Sequence, residues 1–209
     1  MISISNQSWE ELLIQLEELI QFRINNLRNS ASDTNKQSLM KPLANFHTEF
    51  ISKSLGIKLS KEEELICLIA LLPYLIPGYF DSVVSRIFPE GTELQELGGV
   101  KGVSHRGFIP TGETALFLIA GNDLNLKMRA MQYFNSDHVF AGKNILHLEN
   151  THEGEPHVSG RIVLNSDVLE KLLFKGVSRP KLSTEFPAKY ISTNLEWSNL
   201  VINEITMIE

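Results

Sequence analysis

Cysteine is nearly absent from this sequence, since Cys67 is the only one among 209 residues. A single cysteine cannot form an internal disulfide bond, so nothing indicates an oxidising compartment. Cys67 lies in an apolar run, residues 64–70, where no neighbouring group would lower its pKa. We therefore interpret it as a core thiol and not as a nucleophile.

Long hydrophobic runs and targeting signals are also lacking. The longest apolar stretch, residues 65–76, contains Pro73 and is shorter than the about 20 residues that cross a bilayer. Residues 1–8 have neither the basic region nor the apolar core of a signal peptide. We therefore expect a cytoplasmic protein that has no membrane partner.

Positive charge is in deficit. Lysine and arginine number 19 against 25 aspartate and glutamate residues, which gives a net charge of −6. Nucleic-acid binding generally needs a basic surface that displaces counterions, so this balance argues against nucleic acid as a partner. Hydrophobic residues make up 43% of the chain and charged residues 21%, a composition typical of globular proteins that build their own core.

Apolar spacing predicts helices near the start of the chain. Residues 9–27 carry one apolar stripe with a period of 3.6 residues, after a capping box at residues 8–11. A polar loop at residues 29–35 separates this helix from a second one at residues 37–55, which Gly56 would end.

A third helix begins at a second capping box, residues 60–63, and is apolar nearly all round. This pattern predicts a central, buried helix, which Pro73 and Pro77 would end or kink. A short fourth helix is predicted at residues 79–88.

Glycine-rich sequence at residues 91–107 interrupts the helical pattern and predicts a long irregular connection, or a strand with turns. Thr111 could then cap a helix that runs to Ala120 and is closed by Gly121. A further helix is predicted at residues 123–134.

The last third of the chain mixes in strands. Alternating residues at 144–149 and 158–164 predict a β-hairpin. A helix at residues 167–174, capped by Ser166, and an extended tail at residues 177–209 follow.

The predicted fold class is α+β, mainly α, with a helical domain followed by a winged-helix-like portion that contains the hairpin. We assign residues 1–58 to an N-terminal helical segment, residues 59–180 to the winged-helix-like domain and residues 181–209 to an extended linker.

Motifs that would carry chemistry are incomplete. Lys143 follows a glycine, but a phosphate-binding loop would need glycine at Asp137 and a hydroxyl at Asn144. His147, His152 and His157 could hold zinc if the hairpin gathered them, yet a spacing of five fits neither helix nor strand, and we interpret them as part of a solvated turn.

Carboxylate pairs in an apolar setting and nucleophile elbows are not recognisable either. We therefore predict no catalytic residue, no cofactor-binding residue and no metal ligand in this chain.

Two segments resemble known proteins. Residues 104–121 (SHRGFIPTGETALFLIAG) are similar to a stretch in the N-terminal region of bacterial AAA-family ATPases, of a type sometimes encoded with contractile injection systems. Residues 186–202 (FPAKYISTNLEWSNLVI) resemble the segment that precedes their motor module, through a Leu-x-Trp-x-x-Leu-Val phrase centred on Trp197.

This resemblance implies an N-terminal domain whose linker leads to an ATPase module absent from these residues. The Walker A loop, the acidic Walker B strand and the arginine finger of the family are missing, so no catalytic position can be carried over. ATP and magnesium would bind in the absent motor. The implied partners are a protein client or other subunits of the same ATPase.

Two other functions stay open. Lys101, His105 and Arg106, with basic residues near the last helix, suit a winged-helix-type DNA-binding regulator. A stand-alone enzyme would be centred on His105 and Arg106. For partner binding, the expected contact residues are His105, Arg106, Phe108 and Trp197.

Overall fold

The computed structural model describes residues 6–29, 41–46, 48–88 and 94–174. The predicted loop at 29–35, the linker at 181–209 and Trp197 therefore lie wholly or largely outside the described residues. The helices are α1 (Asn6–Asn29), α2 (Lys41–Asn45), α3 (Phe50–Leu55), α4 (Lys61–Leu75), α5 (Tyr79–Ile87), α6 (Gly112–Ala120), α7 (Leu124–Ala130), α8 (Val139–Gly142) and α9 (Ser166–Leu173).

The strands are short and pair in two separate antiparallel sheets. They are β1 (Val100–Lys101), β2 (Phe108–Ile109), β3 (Leu146–Leu148) and β4 (Ile162–Leu164), with 3₁₀ helices at Gln95–Leu97, Met131–Phe134 and His157–Ser159. The predicted α+β, mainly α class is thereby confirmed.

Helix α4 lies at the centre of the core, as its all-round apolar sequence predicts. Every residue from Glu64 to Leu72 is buried. Its capping box forms as predicted, since the Ser60 hydroxyl accepts from the Glu63 amide at 3.2 Å and the Glu63 carboxylate accepts from the Ser60 amide at 2.6 Å. Pro73 lies inside the helix, which ends two residues later at Leu75.

Helix α6 is the second buried helix. Thr111 precedes its first residue and Gly121 follows its last, as predicted. The amphipathic α1 packs on α5 and α6 and buries the stripe that the sequence indicates, which consists of Leu12, Leu16, Leu19, Ile20 and Ile24.

One core joins these elements, because buried side chains of α1 and of α3 to α6 belong to a single cluster. The predicted boundary at residue 58 falls between α3 and α4. In the described ranges no single helix is long and apolar enough to cross a membrane, and α4 with α5 would pass by length and composition only as a pair bent by 105°.

The second predicted helix, residues 37–55, is wrong as a continuous element. The chain instead forms α2 and α3 with a break between them. The break has a physical cause, because the Glu64 carboxylate of α4 accepts from the amides of Ile51 at 3.1 Å and Ser52 at 2.8 Å. These first-turn amides are thus satisfied from outside the helix. Gly56 ends α3 in a left-handed conformation, with φ 68°, as predicted.

The predicted hairpin of the last third is confirmed in its pairing. Leu146 lies opposite Leu164 and Leu148 opposite Ile162, and all four are buried. The second strand is shorter than predicted, because residues 157–159 form a 3₁₀ helix.

Two local predictions need correction. The helix predicted at residues 123–134 is α7 followed by a 3₁₀ helix, Met131–Phe134. The cap of α9 is Asn165 and not Ser166, because the Asn165 side chain accepts from the Asp167 amide at 2.9 Å.

Candidate partner-binding surface

A two-stranded ribbon, residues 98–109, carries most of the residues that the sequence singles out. β1 and β2 pair antiparallel, with Val100 opposite Ile109 and Lys101 opposite Phe108. The loop between the strands, residues 102–107, holds His105 and Arg106. The glycine-rich connection is therefore an ordered hairpin in this part.

Two glycines let the ribbon pack closely. A Cβ at Gly107 would lie 2.1 Å from the carbonyl oxygen of Pro77. A Cβ at Gly99 would lie 2.1 Å from the ring of Phe108, and Gly99 also has φ +89°. Only glycine fits both positions without a shift of the backbone. The ribbon is consequently seated against the turn between α4 and α5.

Phe108 anchors the ribbon to α5. Its ring lies 5.0 Å from the ring of Phe80, and its amide donates to the Asp81 carboxylate at 2.8 Å. Asp81 is in the first turn of α5, where a carboxylate is favoured by the helix dipole. Phe108 is half-buried, so it contributes more to seating the ribbon than to an exposed contact surface.

His105 and Arg106 are adjacent in sequence but differ in exposure. The Nε2 atom of His105 is buried without a hydrogen-bond partner among the described residues, and it faces Gly107. Arg106 is exposed, as is Val103, whose side chain is fully accessible. The loop therefore presents an aliphatic and a cationic side chain to solvent.

Further exposed apolar side chains lie at the end of α4, next to the turn that the ribbon contacts. Tyr74, Leu75 and Ile76 are 52%, 41% and 40% exposed, and they directly precede Pro77, which contacts the ribbon. We call Tyr74, Leu75, Ile76, Val100, Val103 and Arg106 the ribbon surface. Exposed apolar groups that occur together, and not singly, are characteristic of interaction sites.

An ion pair borders the ribbon surface. The Arg161 guanidinium makes two hydrogen bonds to the Glu149 carboxylate, one of them at 2.6 Å from Nη2. These bonds hold the pKa of Glu149 below its ordinary value and raise that of Arg161. The Tyr74 phenol also raises the pKa of Arg161, so the pair lies near the end of α4.

The other candidates from the sequence do not form sites. Lys143 and Asn144 are exposed and follow α8 in a turn. His147, His152 and His157 are exposed, and in the described ranges no group of three or more His, Cys, Asp or Glu residues could hold a metal ion. Cys67 is buried, and burial raises the pKa of its thiol.

Sequence reasoning missed the buried charges. Arg23 and Glu64 are 2% and 1% exposed, and both hold helix termini in the core. Burial raises the pKa of Glu64, although amide hydrogen bonds from Ser52 and Ile51 oppose the effect. No local signal could identify them, because Arg23 looks like a polar residue of an amphipathic helix and Glu64 looks like an ordinary first-turn carboxylate of α4.

The geometry of the ribbon surface suits contact with a partner. Trp197 lies outside the described residues, so its predicted contact role stays a prediction. Comparisons with protein-family models, with curated proteins and with solved structures found no match to the chain.

Proposed function

We propose that this chain is a non-catalytic N-terminal domain of an AAA-type ATPase, which recognises a protein partner or regulates the motor. The support from sequence is the resemblance of residues 104–121 and 186–202 to such proteins. The partner is a protein client or another subunit of the same ATPase, and ATP with magnesium binds in the motor module.

The observation that carries this proposal is the ribbon surface. Its exposed tyrosine and arginine are of the types enriched at the centres of protein interfaces, and its aliphatic side chains supply apolar area that a partner can bury. Its backbone is held by the contacts of Gly107 and Phe108, so little ordering is needed when a partner binds. The first of the two resembling segments supplies Arg106 to this surface.

The link to a motor is tested by the reading frame and by ATP turnover. We expect the codons after Glu209 to encode a Walker A loop, and the isolated residues 1–209 to lack ATPase activity. A stop codon directly after Glu209, or ATP turnover by the isolated residues, overturns this part of the proposal.

The recognition role is tested by site-specific photo-crosslinking in cells. A photoreactive residue at Val103 or Ile76 is compared with one at Glu153, which is exposed in the loop between β3 and β4. We expect discrete protein adducts at the first two positions that survive nuclease treatment. Adducts no stronger than those at Glu153 contradict a recognition role for the ribbon surface.

A winged-helix DNA-binding regulator is the second candidate, and the order of elements supports it. Helices α6, α7 and α8 precede strand β3, a loop and strand β4, and helices followed by a hairpin are the order of a winged helix. The residues that follow β2 also pair with the start of β4. The Ile162 amide donates to the Pro110 carbonyl oxygen at 3.0 Å, and Thr111 forms an antiparallel β-bridge with Arg161.

Charge weighs against DNA as the partner of such a winged helix. The loop in the position of the wing carries exposed Glu153 and Glu155, which would repel phosphates. This candidate predicts salt-dependent binding to duplex DNA, and the absence of any mobility shift at low salt rejects it.

A further inference from the structure

Helix α7 carries an exposed apolar stripe that nothing above explains. Leu124, Met128 and Met131 are 72%, 68% and 43% exposed. Their spacing of i, i+4 and i+7 places them on one face, because Met131 continues α7 into the next 3₁₀ helix with helical dihedral angles. We call these three residues the α7 stripe.

The stripe is held on an ordered element. Ala130 is buried and α7 packs against α6. The Asp123 carboxylate caps α7 by accepting from the amides of Asn125 at 2.9 Å and Leu126 at 3.1 Å. The stripe therefore faces outward because α7 packs against α6 with its opposite side, and the capped helix end is not frayed.

Two cations accompany the stripe. Lys127 is half-buried and lies on the side of the helix next to the stripe, whereas Arg129 is exposed and lies about 100° around the helix from Met128. Neither takes part in an ion pair among the described residues. In a chain whose net charge is −6, this local pair of cations next to exposed apolar groups favours a partner of opposite charge.

We infer that the α7 stripe binds an amphipathic helix of a partner protein, with large apolar residues at i, i+4 and i+7 and glutamate or aspartate beside them. An apolar helix face read at this spacing is a common mode of peptide recognition. The flexible, polarisable methionine side chains adapt to such a partner. This site is separate from the ribbon surface and goes beyond the proposed function.

The charges disfavour other occupants. In a symmetric dimer through the stripe, Lys127 and Arg129 would approach their own copies, and like charges repel. Duplex DNA would bring phosphates to exposed Leu124 and Met128, which offer no hydrogen bonds.

The test uses two synthetic helical peptides with the full chain. Both have leucine at i, i+4 and i+7, and their flanking positions carry glutamate in one and lysine in the other. In fluorescence anisotropy at low salt, we expect the glutamate peptide to bind at least about tenfold more tightly than the lysine peptide. Rising salt should reduce this difference.

Variants assign the binding to the stripe. Met128→Glu should weaken binding of the glutamate peptide about tenfold or more, and the double change Lys127→Glu with Arg129→Glu should reverse the preference between the peptides. Ile14→Glu is the matched control, because Ile14 is an exposed aliphatic residue of α1, 56% accessible, and its change should leave binding unaltered. All of these side chains except Lys127 are exposed, and circular dichroism checks that each variant folds.

Several outcomes overturn the inference. They are equal affinity for the two peptides, no binding of the glutamate peptide at about 1 mM, and unchanged binding by Met128→Glu. Self-association that Met128→Glu abolishes would assign the stripe to a second copy of the chain. Binding to duplex DNA or to anionic vesicles that the double charge reversal abolishes would assign it to those partners.

Discussion

Arg23 in α1 donates a hydrogen bond from Nε to the carbonyl oxygen of Leu118 near the end of α6, at 2.9 Å. Its Nη2 donates to the carbonyl oxygen of Ile119 at 2.6 Å. The last carbonyls of a helix lack intrahelical partners and carry the negative end of the dipole. Arg23 therefore joins α1 to α6, and burial lowers its pKa to about 10.

Replacement of Arg23 by methionine should destabilise the fold strongly. Arg23→Met keeps an unbranched apolar stem but leaves two buried carbonyls without this donor. Hydrogen bonds from a charged donor contribute about 1.5–3 kcal/mol each, so we expect the free energy of unfolding to fall by about 3 kcal/mol. Urea denaturation measures this loss of stability. We expect the slope of the unfolding free energy against urea concentration to be the same for the variant and the wild-type protein.

Arg86→Met is the matched control for Arg23→Met. The Arg86 guanidinium is 63% exposed and pairs with Glu17 at 3.1 Å. Exposed pairs contribute less than about 1 kcal/mol. Equal destabilisation by the two variants would contradict the role assigned to Arg23.

The stability of the fold should depend on pH through Glu64. Burial raises its pKa above the ordinary 4.5, so the folded chain holds this proton more tightly than the unfolded chain does. Its contribution is complete below pH 4.5 and declines as the pH rises through the raised pKa. Relative to Glu64→Gln, which cannot ionise, the wild-type protein should lose stability as the pH rises from 4.5.

Glu149 supplies a control of opposite sign for the same pH series. Arg161 lowers its pKa below 4.5, so its contribution is present above pH 4.5 and is lost as the pH falls. The pair is partly exposed, so we expect it to contribute less than about 1 kcal/mol to stability, and salt should reduce this contribution further.

For Glu64, the contradicting outcome is a wild-type protein whose stability advantage over Glu64→Gln grows as the pH rises.

Gly107→Ala should loosen the ribbon. The added Cβ would meet the Pro77 carbonyl oxygen at 2.1 Å, a backbone atom that cannot turn aside. Overpacking of this kind typically costs about 1–3 kcal/mol. Gly78→Ala, one residue beyond Pro77, meets nothing within 4 Å and should change stability by less than about 0.5 kcal/mol. Hydrogen exchange of the ribbon amides distinguishes local loosening from global loss.

Helix positions that depend on local signals could be predicted from the sequence. The cap at Ser60 and the stop at Gly121 were identified because the interacting residues lie within one helical turn of each other. The buried character of α4 followed from an apolar sequence on every face. The pairing of β3 with β4 could be predicted from the alternation of two short segments, whereas their register could not.

Features that depend on distant partners could not be predicted in this way. The break between α2 and α3 depends on Glu64, which is 13 residues away from Ile51. The bond from Arg23 to Leu118 spans 95 residues. In the ribbon surface, Arg106 could be singled out from the sequence. Tyr74, Leu75 and Ile76 could not, because they extend an apolar run whose earlier residues are buried.

His138 joins two elements through both ring nitrogens. Its Nδ1 accepts from the Phe140 amide at 3.3 Å and caps α8, so Nε2 carries the proton that reaches Glu63 Oε1 at 2.8 Å. The ring also packs edge-on against Tyr133 and Phe140. One imidazole therefore connects the first turn of α4 with the segment that leads to β3.

His138→Ala should lower the free energy of unfolding by about 1–3 kcal/mol, because the α8 cap and a half-buried hydrogen bond to the Glu63 carboxylate are lost together. His147→Ala, an exposed histidine on β3, should have almost no effect. A double-mutant cycle with Glu63→Ala isolates the pair, and we expect a coupling energy of about 1 kcal/mol. A coupling energy near zero would mean that His138 acts only as a cap for α8 and as a packing group.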